Sequence, residues 1–366
     1  MQRAIRLGAL GPLTPPGTAW AGRELRAGIE LAVQALNAAG GVRGQSLELT
    51  FEDTKGSPAS GVDAITALSK QGVHAVVGEF HSVVANAIAE QLSGEGFPMI
   101  FSSPTLDAIT ALRRGRVFRL TLPQSRGWRI YAAALAAQGI KHAIALMESS
   151  VYWDAGAQAL ETRLREASVG LTRIPWKPGS ETFEHIRHVA KSFAPAALLL
   201  LVNYPQPLAF ILRELRSERL AGLICCDPAG RAVLPDWWDS VGEDGIGVPF
   251  LAYQHPGKLA STGHRMADMF ARQHRRQPTF VALEGYDSVV AVATAIEIAG
   301  SAEPNDLCEA LRRSAIQGTR GEIRFSTDPA GAVHQQWTWP PSSVVAFKRM
   351  HDSFVDAHSF SETTED

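Results

Sequence analysis

Short apolar runs alternate with longer amphipathic stretches along the first third of the chain. In the stretch 20–39, apolar residues recur with the spacing of one helical face, at Leu25, Ile29, Ala32, Val33 and Leu36. The double glycine Gly40-Gly41 predicts the end of this helix. The same patterns predict strands over 5–10, 46–53, 73–77 and 97–102, and helices over 61–71 and 83–94. Strands that alternate with helices indicate a parallel sheet covered by helices on both faces.

The alternation then starts again, which predicts a second α/β unit over about 125–247. Its strands are predicted over 142–147, 170–174, 197–202 and 222–226, and its helices over 155–166, 182–193 and 207–217. Further helices are predicted over 260–273, 284–299 and 306–314. The end of the chain, from Gly321 onward, is predicted to be β-rich, and the polar stretch 359–366 to be a flexible tail.

Length and charge narrow the class of protein. A chain of 366 residues is typical of two domains. A net charge of -2 argues against a nucleic-acid partner. The first residues lack the basic start and apolar stretch of a secretory signal, so either the signal is missing from this sequence or the protein stays in the cytoplasm. The three cysteines, Cys225, Cys226 and Cys308, have no metal-ligand spacing and predict neither a metal site nor a cofactor.

Hydroxyl side chains follow two predicted strands of the first unit. Ser82 comes shortly after the strand 73–77, and Thr105 closes the segment Ser102-Ser103-Pro104-Thr105 after the next strand. Ligands of open α/β sheets bind beyond the carboxyl ends of strands, so both hydroxyls are candidates to hold one carboxylate. The alternatives are that Ser82 only caps its helix and that the second segment is an ordinary turn.

Polar and aromatic residues follow the strands of the second unit as well. Asp227 is a candidate partner for a ligand ammonium, or else a cap before Pro228. Tyr152 and Tyr204 are candidates to cover an apolar or cationic ligand, although aromatic residues at such positions usually serve packing. No HExxH, P-loop, GxGxxG or GxSxG motif is present, so the sequence does not predict an enzyme.

An ordered series of motifs resembles the type I periplasmic solute-binding proteins of the leucine/isoleucine/valine-binding kind, which serve ABC transporters. The resemblance covers about 4–350 and is carried by Gly8 to Leu13, Asn37 to Gly44, Glu52-Asp53, Val76 to Gly78 with Ser82, Pro98 to Thr105, and Glu284 to Val289. It implies two Rossmann-like lobes joined by a three-strand hinge. Lobe 1 is expected to comprise 1–121 and 253–338, and lobe 2 to comprise 122–252 and 339–358. The three crossovers are expected near 120–124, 248–253 and 337–341.

The resemblance also implies roles for the first-lobe residues. Ser82 and Thr105 match positions that hold the α-carboxylate of the ligand, and Ser103 matches a position that offers its backbone to the ligand ammonium. Phe80 and His81 match wall positions beside the serine.

In the second lobe, Tyr152 and Tyr204 match aromatic contact positions, with Asn203 as the contact if the register slips by one residue. Asp227 lies near the position of the acidic ammonium partner. Trp20, in the first lobe, matches a lid contact.

The implied function is capture of an amino acid or close analogue in a cleft between the lobes, for a membrane permease of an ABC transporter. One family feature is missing: leucine-type members have a first-lobe disulfide, and one of its positions is His81 here, with no cysteine near 54–57. The alternative is therefore a cytoplasmic amide or amino-acid sensor that regulates gene expression through a partner protein. A periplasmic location is expected if the protein serves an ABC transporter.

Overall fold

The protein consists of two compact α/β units. The structure, a computed structural model, describes residues 4–92, 96–111, 115–217, 223–252, 259–327, 333–337, 344–351 and 354–356. Unit 1 comprises Met1–Pro123 and Gln254–Pro340, and unit 2 comprises Gln124–Tyr253 and Pro341–Asp366. Each unit contains a parallel sheet, which confirms the predicted fold class.

The lobe boundaries predicted from the sequence precede these division points by one or two residues, and the lobe assignment itself stays a prediction. Residue 253 and residues 338–341 of the predicted crossovers, and the predicted tail 359–366, lie outside the described residues.

The first segment of unit 1 alternates strands and helices, as predicted for its first seven elements. Its elements are β1 (Ile5–Gly11), α1 (Ala19–Ala38), β2 (Leu47–Asp53), α2 (Pro58–Lys70), β3 (Ala75–Gly78), α3 (Ser82–Gln91), β4 (Met99–Phe101), α4 (Ala108–Ala111) and β5 (Val117–Arg119).

Unit 2 repeats the alternation with α5 (Gln124–Ala137), β6 (His142–Met147), α6 (Val151–Glu166), β7 (Gly170–Pro175), α7 (Ser180–Ser192), β8 (Ala196–Leu201), α8 (Leu208–Ser217), β9 (Leu223–Cys226), α9 (Trp237–Val241) and β10 (Phe250–Leu251). Two short 3-10 helices, Arg231–Val233 and Gly242–Gly245, flank α9.

The chain then returns to unit 1 with α10 (Ser261–His274), α11 (Phe280–Ala299), α12 (Pro304–Arg313), β11 (Ile316–Gly318), β12 (Gly321–Ile323), β13 (Phe325–Thr327) and β14 (Val333–Trp337). It ends in unit 2 with β15 (Val344–Phe347) and β16 (Phe354–Asp356). In the described part of the chain, none of the helices is both long enough and apolar enough to cross a membrane.

The main sheet of unit 1 has seven strands in the order β13-β14-β5-β4-β3-β1-β2, and all neighbours except β13 and β14 run parallel. Unit 2 has a four-stranded parallel sheet, β7-β6-β8-β9, and a three-stranded antiparallel sheet, β10-β15-β16. The central strands are apolar along their whole length, as expected when helices cover both faces of a parallel sheet.

The long helix α11 begins at Phe280, four residues before the start predicted at Glu284. The reason is a distant acceptor. The carboxylate of Glu24, on α1, accepts hydrogen bonds from the backbone N–H of Thr279 (3.2 Å) and from its hydroxyl (2.8 Å). An acceptor supplied by another helix satisfies the helix start, and local spacing does not reveal such an acceptor.

Candidate functional site

The carboxyl ends of β3 and β4 lie side by side in unit 1, and the loops that follow them stay in contact. Gly78 is opposite Phe101 in the parallel ladder. Beyond it, the N–H of Ser102 donates to the carbonyl of Gly78 (2.9 Å), and the N–H of Ser103 donates to the carbonyl of Glu79 (3.3 Å). The two loops are therefore extensions of one sheet edge, the edge at which α/β folds bind ligands.

Ser82 and Thr105 meet at this edge, as the sequence predicted. The Ser82 Oγ accepts hydrogen bonds from the backbone N–H of Thr105 (3.0 Å) and from that of Leu106 (3.3 Å). A hydroxyl has two acceptor lone pairs and one donor. Because both lone pairs are used, the Ser82 hydroxyl is left with its proton to donate, which suits an anionic partner.

The interpretation of Ser82 as a helix cap is wrong. It is the first residue of α3, His81 occupies the N-cap position, and no side chain caps this helix. The Ser82 hydroxyl instead bonds to the loop after β4. The N-terminus of α3 therefore keeps backbone N–H groups that its own cap does not bind.

Ser103 directs its side chain away from this edge and into the interior. Its hydroxyl donates a 2.5 Å hydrogen bond to Oε2 of Glu284, on α11, and both side chains are buried. The hydroxyl is thus committed to the protein. The role implied for Ser103, a backbone contact to a ligand ammonium, stays a prediction.

Glu284 belongs to a buried charged network that supports the β4–α4 loop. Its Oε1 accepts from Arg320 (3.1 Å), and the neighbouring Asp287 accepts from the N–H and the hydroxyl of Thr319, both at 2.7 Å. Burial raises the pKa of Glu284 to about 7 and that of Asp287 to about 6. The network ties the loop to α11 and to the turn between β11 and β12.

Glu79, which the sequence analysis did not select, is fully buried at the centre of the β3–α3 loop. Its backbone has a φ of +68°, a conformation that L-residues rarely adopt. Its Oε1 accepts the N–H groups of Phe80 (2.8 Å) and His81 (2.7 Å), which holds the loop in this conformation. The only local signal was a charged residue directly after a buried strand.

Three aromatic rings cluster at the start of α1 and in the β3–α3 loop. Trp20, in the first turn of α1, meets Phe80 edge-on with ring centroids 5.7 Å apart, and Phe80 meets His81 in the same way at 5.4 Å. All three side chains are half-buried. The structure thus brings the three predicted wall and lid residues of unit 1 into one cluster, two of which directly precede Ser82 in the chain.

His81 also joins three loops. Its Nε2 accepts the N–H of Thr18 at 3.1 Å, which requires a neutral ring protonated on Nδ1, and burial lowers the pKa of His81. Gly56, with a φ of +65°, packs against it. A Cβ at Gly56 would lie 2.6 Å from the Cα of Gly17 and 3.0 Å from the His81 Nε2. The loops after β1 and β2 therefore meet through the backbone of Gly17 and Gly56, and the loop after β3 joins them through the His81 imidazole. His81 is one of the positions at which the family resemblance implied a disulfide.

In unit 2, the predicted residues lie at the carboxyl edge of its parallel sheet. Asn203 is exposed after β8, and its N–H donates to Glu148 Oε2 at 2.6 Å. Tyr204 is half-buried and stacks on Trp237 with centroids 6.0 Å apart. Tyr152 lies in the first turn of α6 and packs edge-on against Trp153. Their roles toward a ligand stay predictions.

Asp227 requires a correction. It was expected to face a ligand ammonium, but its side chain is fully buried in an ion pair with Arg231. Oδ1 accepts from Arg231 Nε at 2.9 Å, and Oδ2 accepts from the Arg231 backbone N–H at 2.5 Å. Arg231 also donates to the carbonyls of Leu200 and Val202. Both carboxylate oxygens therefore serve the fold of unit 2, and neither is exposed to a ligand.

Comparison with known proteins gives one family. A sequence profile described as "Periplasmic binding protein" matches residues 4–338. The leucine-, isoleucine-, valine-, threonine-, and alanine-binding protein of Pseudomonas aeruginosa is 23% identical over 324 residues, which cover 88% of this chain and 85% of that protein.

Two solved structures share the fold. An ABC transporter substrate-binding protein from Desulfitobacterium hafniense in complex with Leu has a TM-score of 0.80 and 21% identity, and the match covers 97% of this chain and 100% of that one. A solute-binding protein of an ABC transporter from R. palustris in complex with benzoate has a TM-score of 0.76 and 18% identity, with 97% and 95% coverage.

Proposed function

This chain belongs to the periplasmic binding protein family, and from that premise we propose that it captures a small carboxylate, an amino acid or a close analogue, for ABC-type uptake. The ligand is bound and released without chemical change. The proposed location is outside the cytoplasmic membrane, and the proposed partner is a membrane permease.

The observation that carries the proposal is the arrangement of the Ser82 hydroxyl. With both lone pairs engaged by Thr105 and Leu106, Ser82 is a donor at the N-terminus of α3. The positive end of the helix dipole favours an anion at that place. Thr105, in direct hydrogen-bonded contact with Ser82, is the proposed second hydroxyl for the same carboxylate.

The aromatic cluster of Trp20, Phe80 and His81 suggests what kind of ligand body is bound. Aromatic faces and edges suit an apolar side chain or a ring, and a cluster of this kind accommodates both. Relatives with leucine and with benzoate in their structures share a carboxylate and an apolar body. We therefore propose an apolar carboxylate, with L-leucine and benzoate as the first two probes. Tyr152, Tyr204 and Asn203 remain proposed contacts of unit 2, and Asp227 is not among them.

The proposal predicts the effect of removing both hydroxyls. A thermal-shift screen with amino acids and benzoate identifies the probe that raises the Tm of the wild type. In the variant Ser82→Ala/Thr105→Ala, the affinity for that probe falls, since each lost hydrogen bond to a charged group contributes about 1.5–3 kcal/mol. That is about tenfold to a hundredfold in Kd for each hydroxyl, and about 10²-fold to 10⁴-fold for both. Isothermal titration calorimetry measures the change.

The matched control removes two hydroxyls of the same types from the exposed face of α2. Thr66 and Ser69 lie there in the same unit, and the variant Thr66→Ala/Ser69→Ala keeps the wild-type affinity. An unchanged Kd in the Ser82/Thr105 variant would refute the carboxylate anchor.

A further inference from the structure

Glu79 has the hydrogen-bond pattern of a neutral carboxylic acid. Its Oε1 accepts two backbone N–H groups, while its buried Oε2 has no hydrogen-bond partner of normal geometry among the described residues. An ionised carboxylate distributes its charge over both oxygens and normally binds donors at both. A neutral carboxyl has one carbonyl oxygen that accepts and one hydroxyl oxygen that donates.

The Thr54 hydroxyl is the candidate acceptor for a hydrogen bond from the protonated carboxyl oxygen of Glu79. It is buried, it also lacks a hydrogen-bond partner of normal geometry, and it is close enough to Glu79 to affect its pKa. A hydroxyl is able to accept from a protonated Oε2 or to donate to an ionised one. The Glu79–Thr54 pair is therefore compatible with both protonation states of Glu79, whereas the two N–H bonds to Oε1 persist in either.

The charged groups on the surrounding elements do not favour the ionised state of Glu79. Asp53, at the end of β2, adds a negative charge, and Lys55 beyond it is exposed. His81, on the same loop, is held neutral by its bond to Thr18. Asp107 is the acidic group that follows the β4 loop. Burial and Asp53 together raise the pKa of Glu79 to about 7.

We propose that Glu79 is a positioning residue that must be protonated when a carboxylate ligand binds at Ser82, so that capture of the ligand takes up one proton wherever Glu79 is ionised beforehand. The inference rests on the proposed function. Glu79 binds the N–H groups of the two residues that precede Ser82, so an ionised Glu79 places a second negative charge beside the anion site. Like charges at such a site disfavour simultaneous ionisation, and the proton that neutralises Glu79 comes from the solvent.

The sign of the pH dependence follows from this linkage. Below about pH 7, Glu79 is already neutral and the ligand binds with full affinity. Above that pH, binding has to draw a proton, so the affinity falls by up to about tenfold for each pH unit until the pKa of the ligand-bound state is reached. Ligand affinity thus decreases as the pH rises.

The test compares Glu79→Gln with the wild type from about pH 6 to about pH 8.5, a range that brackets the pKa of Glu79. Glutamine keeps the oxygen that accepts both N–H groups and cannot ionise. The matched control is Glu90→Gln, which removes a charge of the same kind from an exposed position on α3. Benzoate and L-leucine are the probes, and calorimetry is run in phosphate and in Tris, because buffers with different ionisation enthalpies report the number of protons taken up.

The expected result is proton uptake and a falling affinity in the wild type and in Glu90→Gln, and neither in Glu79→Gln. Equal pH slopes in Glu79→Gln and the wild type would overturn the inference while leaving the proposed function intact. Should Glu79→Gln fail to fold, absence of proton uptake by the wild type alone would overturn it. If neither probe binds to any variant at any pH, the proposed function is refuted for these ligands, and this inference with it.

Discussion

Two serine hydroxyls of unit 1, 21 residues apart in the sequence, use their hydrogen-bonding groups in opposite ways. The Ser82 oxygen accepts hydrogen bonds from two backbone N–H groups, so its hydroxyl proton is left to donate at the sheet edge. The Ser103 hydroxyl donates its hydrogen bond to Glu284 in the interior. Both are serines that follow strands of the same sheet, and their hydrogen-bond partners distinguish a candidate ligand contact from a structural one.

Ser103→Ala is expected to lower stability more than ligand affinity. The substitution leaves Glu284 Oε2 buried without its donor, which costs about 1–3 kcal/mol of the free energy of unfolding. Urea unfolding measures this loss. Ser69→Ala, on the exposed face of α2, is the control with no expected effect. A variant as stable as the wild type would show that the hydroxyl contributes nothing to the network.

Sequence reasoning reached the proximity of Ser82 and Thr105 because the strand-end rule needs only the order of the elements. It did not reach the bond between Ser103 and Glu284, whose partners are 181 residues apart. It also misjudged Asp227, because the neutralising Arg231 is itself fixed by carbonyls of another strand. The Asp227–Arg231 pair itself spans only four residues, but the contacts that fix Arg231, like the bond between Ser103 and Glu284, join distant segments and leave no local pattern.

At the scale of elements, helices α1 and α11 approach each other through glycine. A Cβ at Gly28 would lie 2.0 Å from the carbonyl oxygen of Ala282, and one at Gly285 would lie 2.5 Å from the carbonyl oxygen of Leu25. Each glycine thus faces the backbone of the other helix. The contact sets the separation of the two longest helices of unit 1, one of which carries Glu284.

Gly28→Ala is therefore expected to destabilise unit 1 by about 1–3 kcal/mol or more, because rigid backbone atoms must move apart. The added methyl meets an atom that has no rotamer to change. Gly115→Ala is the matched control, since a Cβ there would meet only the flexible end of Arg312 at 3.2 Å, and its effect stays below about 1 kcal/mol. Thermal unfolding measures the Tm of both variants. Equal Tm values would contradict the explanation by backbone packing.

Apolar patterning predicted elements best where burial is complete. The strand over His142–Met147 was predicted with its observed bounds, because it is a continuous apolar run. The helix α5 was not predicted: it contains Gly127 and buries the polar Gln124, which obscures the helical face. The short strand β5 was not predicted either, and its Arg119 is buried by hydrogen bonds to Leu106 and Thr110.

At the scale of the whole molecule, three buried carboxyl groups among the described residues of unit 1 have raised pKa values. They are Glu79 and Glu284, each at about 7, and Asp287, at about 6. A group with a raised pKa in the folded state binds its proton more tightly there than in the unfolded chain. The stability that it contributes is present at low pH and declines as the pH rises through the folded-state value.

The free energy of unfolding of Glu79→Gln is therefore expected to rise relative to the wild type between about pH 4.5 and about pH 7, and to remain level above that. Glutamine does not titrate, so only the wild type loses stability from this position. Denaturant titrations of both proteins across this range provide the measurement. A difference independent of pH would mean that Glu79 has the same pKa in the folded and unfolded states.

The packing of Gly17 against Gly56, and of both loops against the His81 imidazole, has a consequence for the divergence of this protein. Each of the three loops is shaped by the other two, so a substitution at one of these positions demands compensation at the others, and we expect them to change together among descendants. Phe80 precedes His81 in the chain, and its ring contacts Trp20 and His81. If the ligand contacts this cluster as proposed, we expect a change of ligand preference to arise at Phe80 more readily than at Gly17, Gly56 or His81.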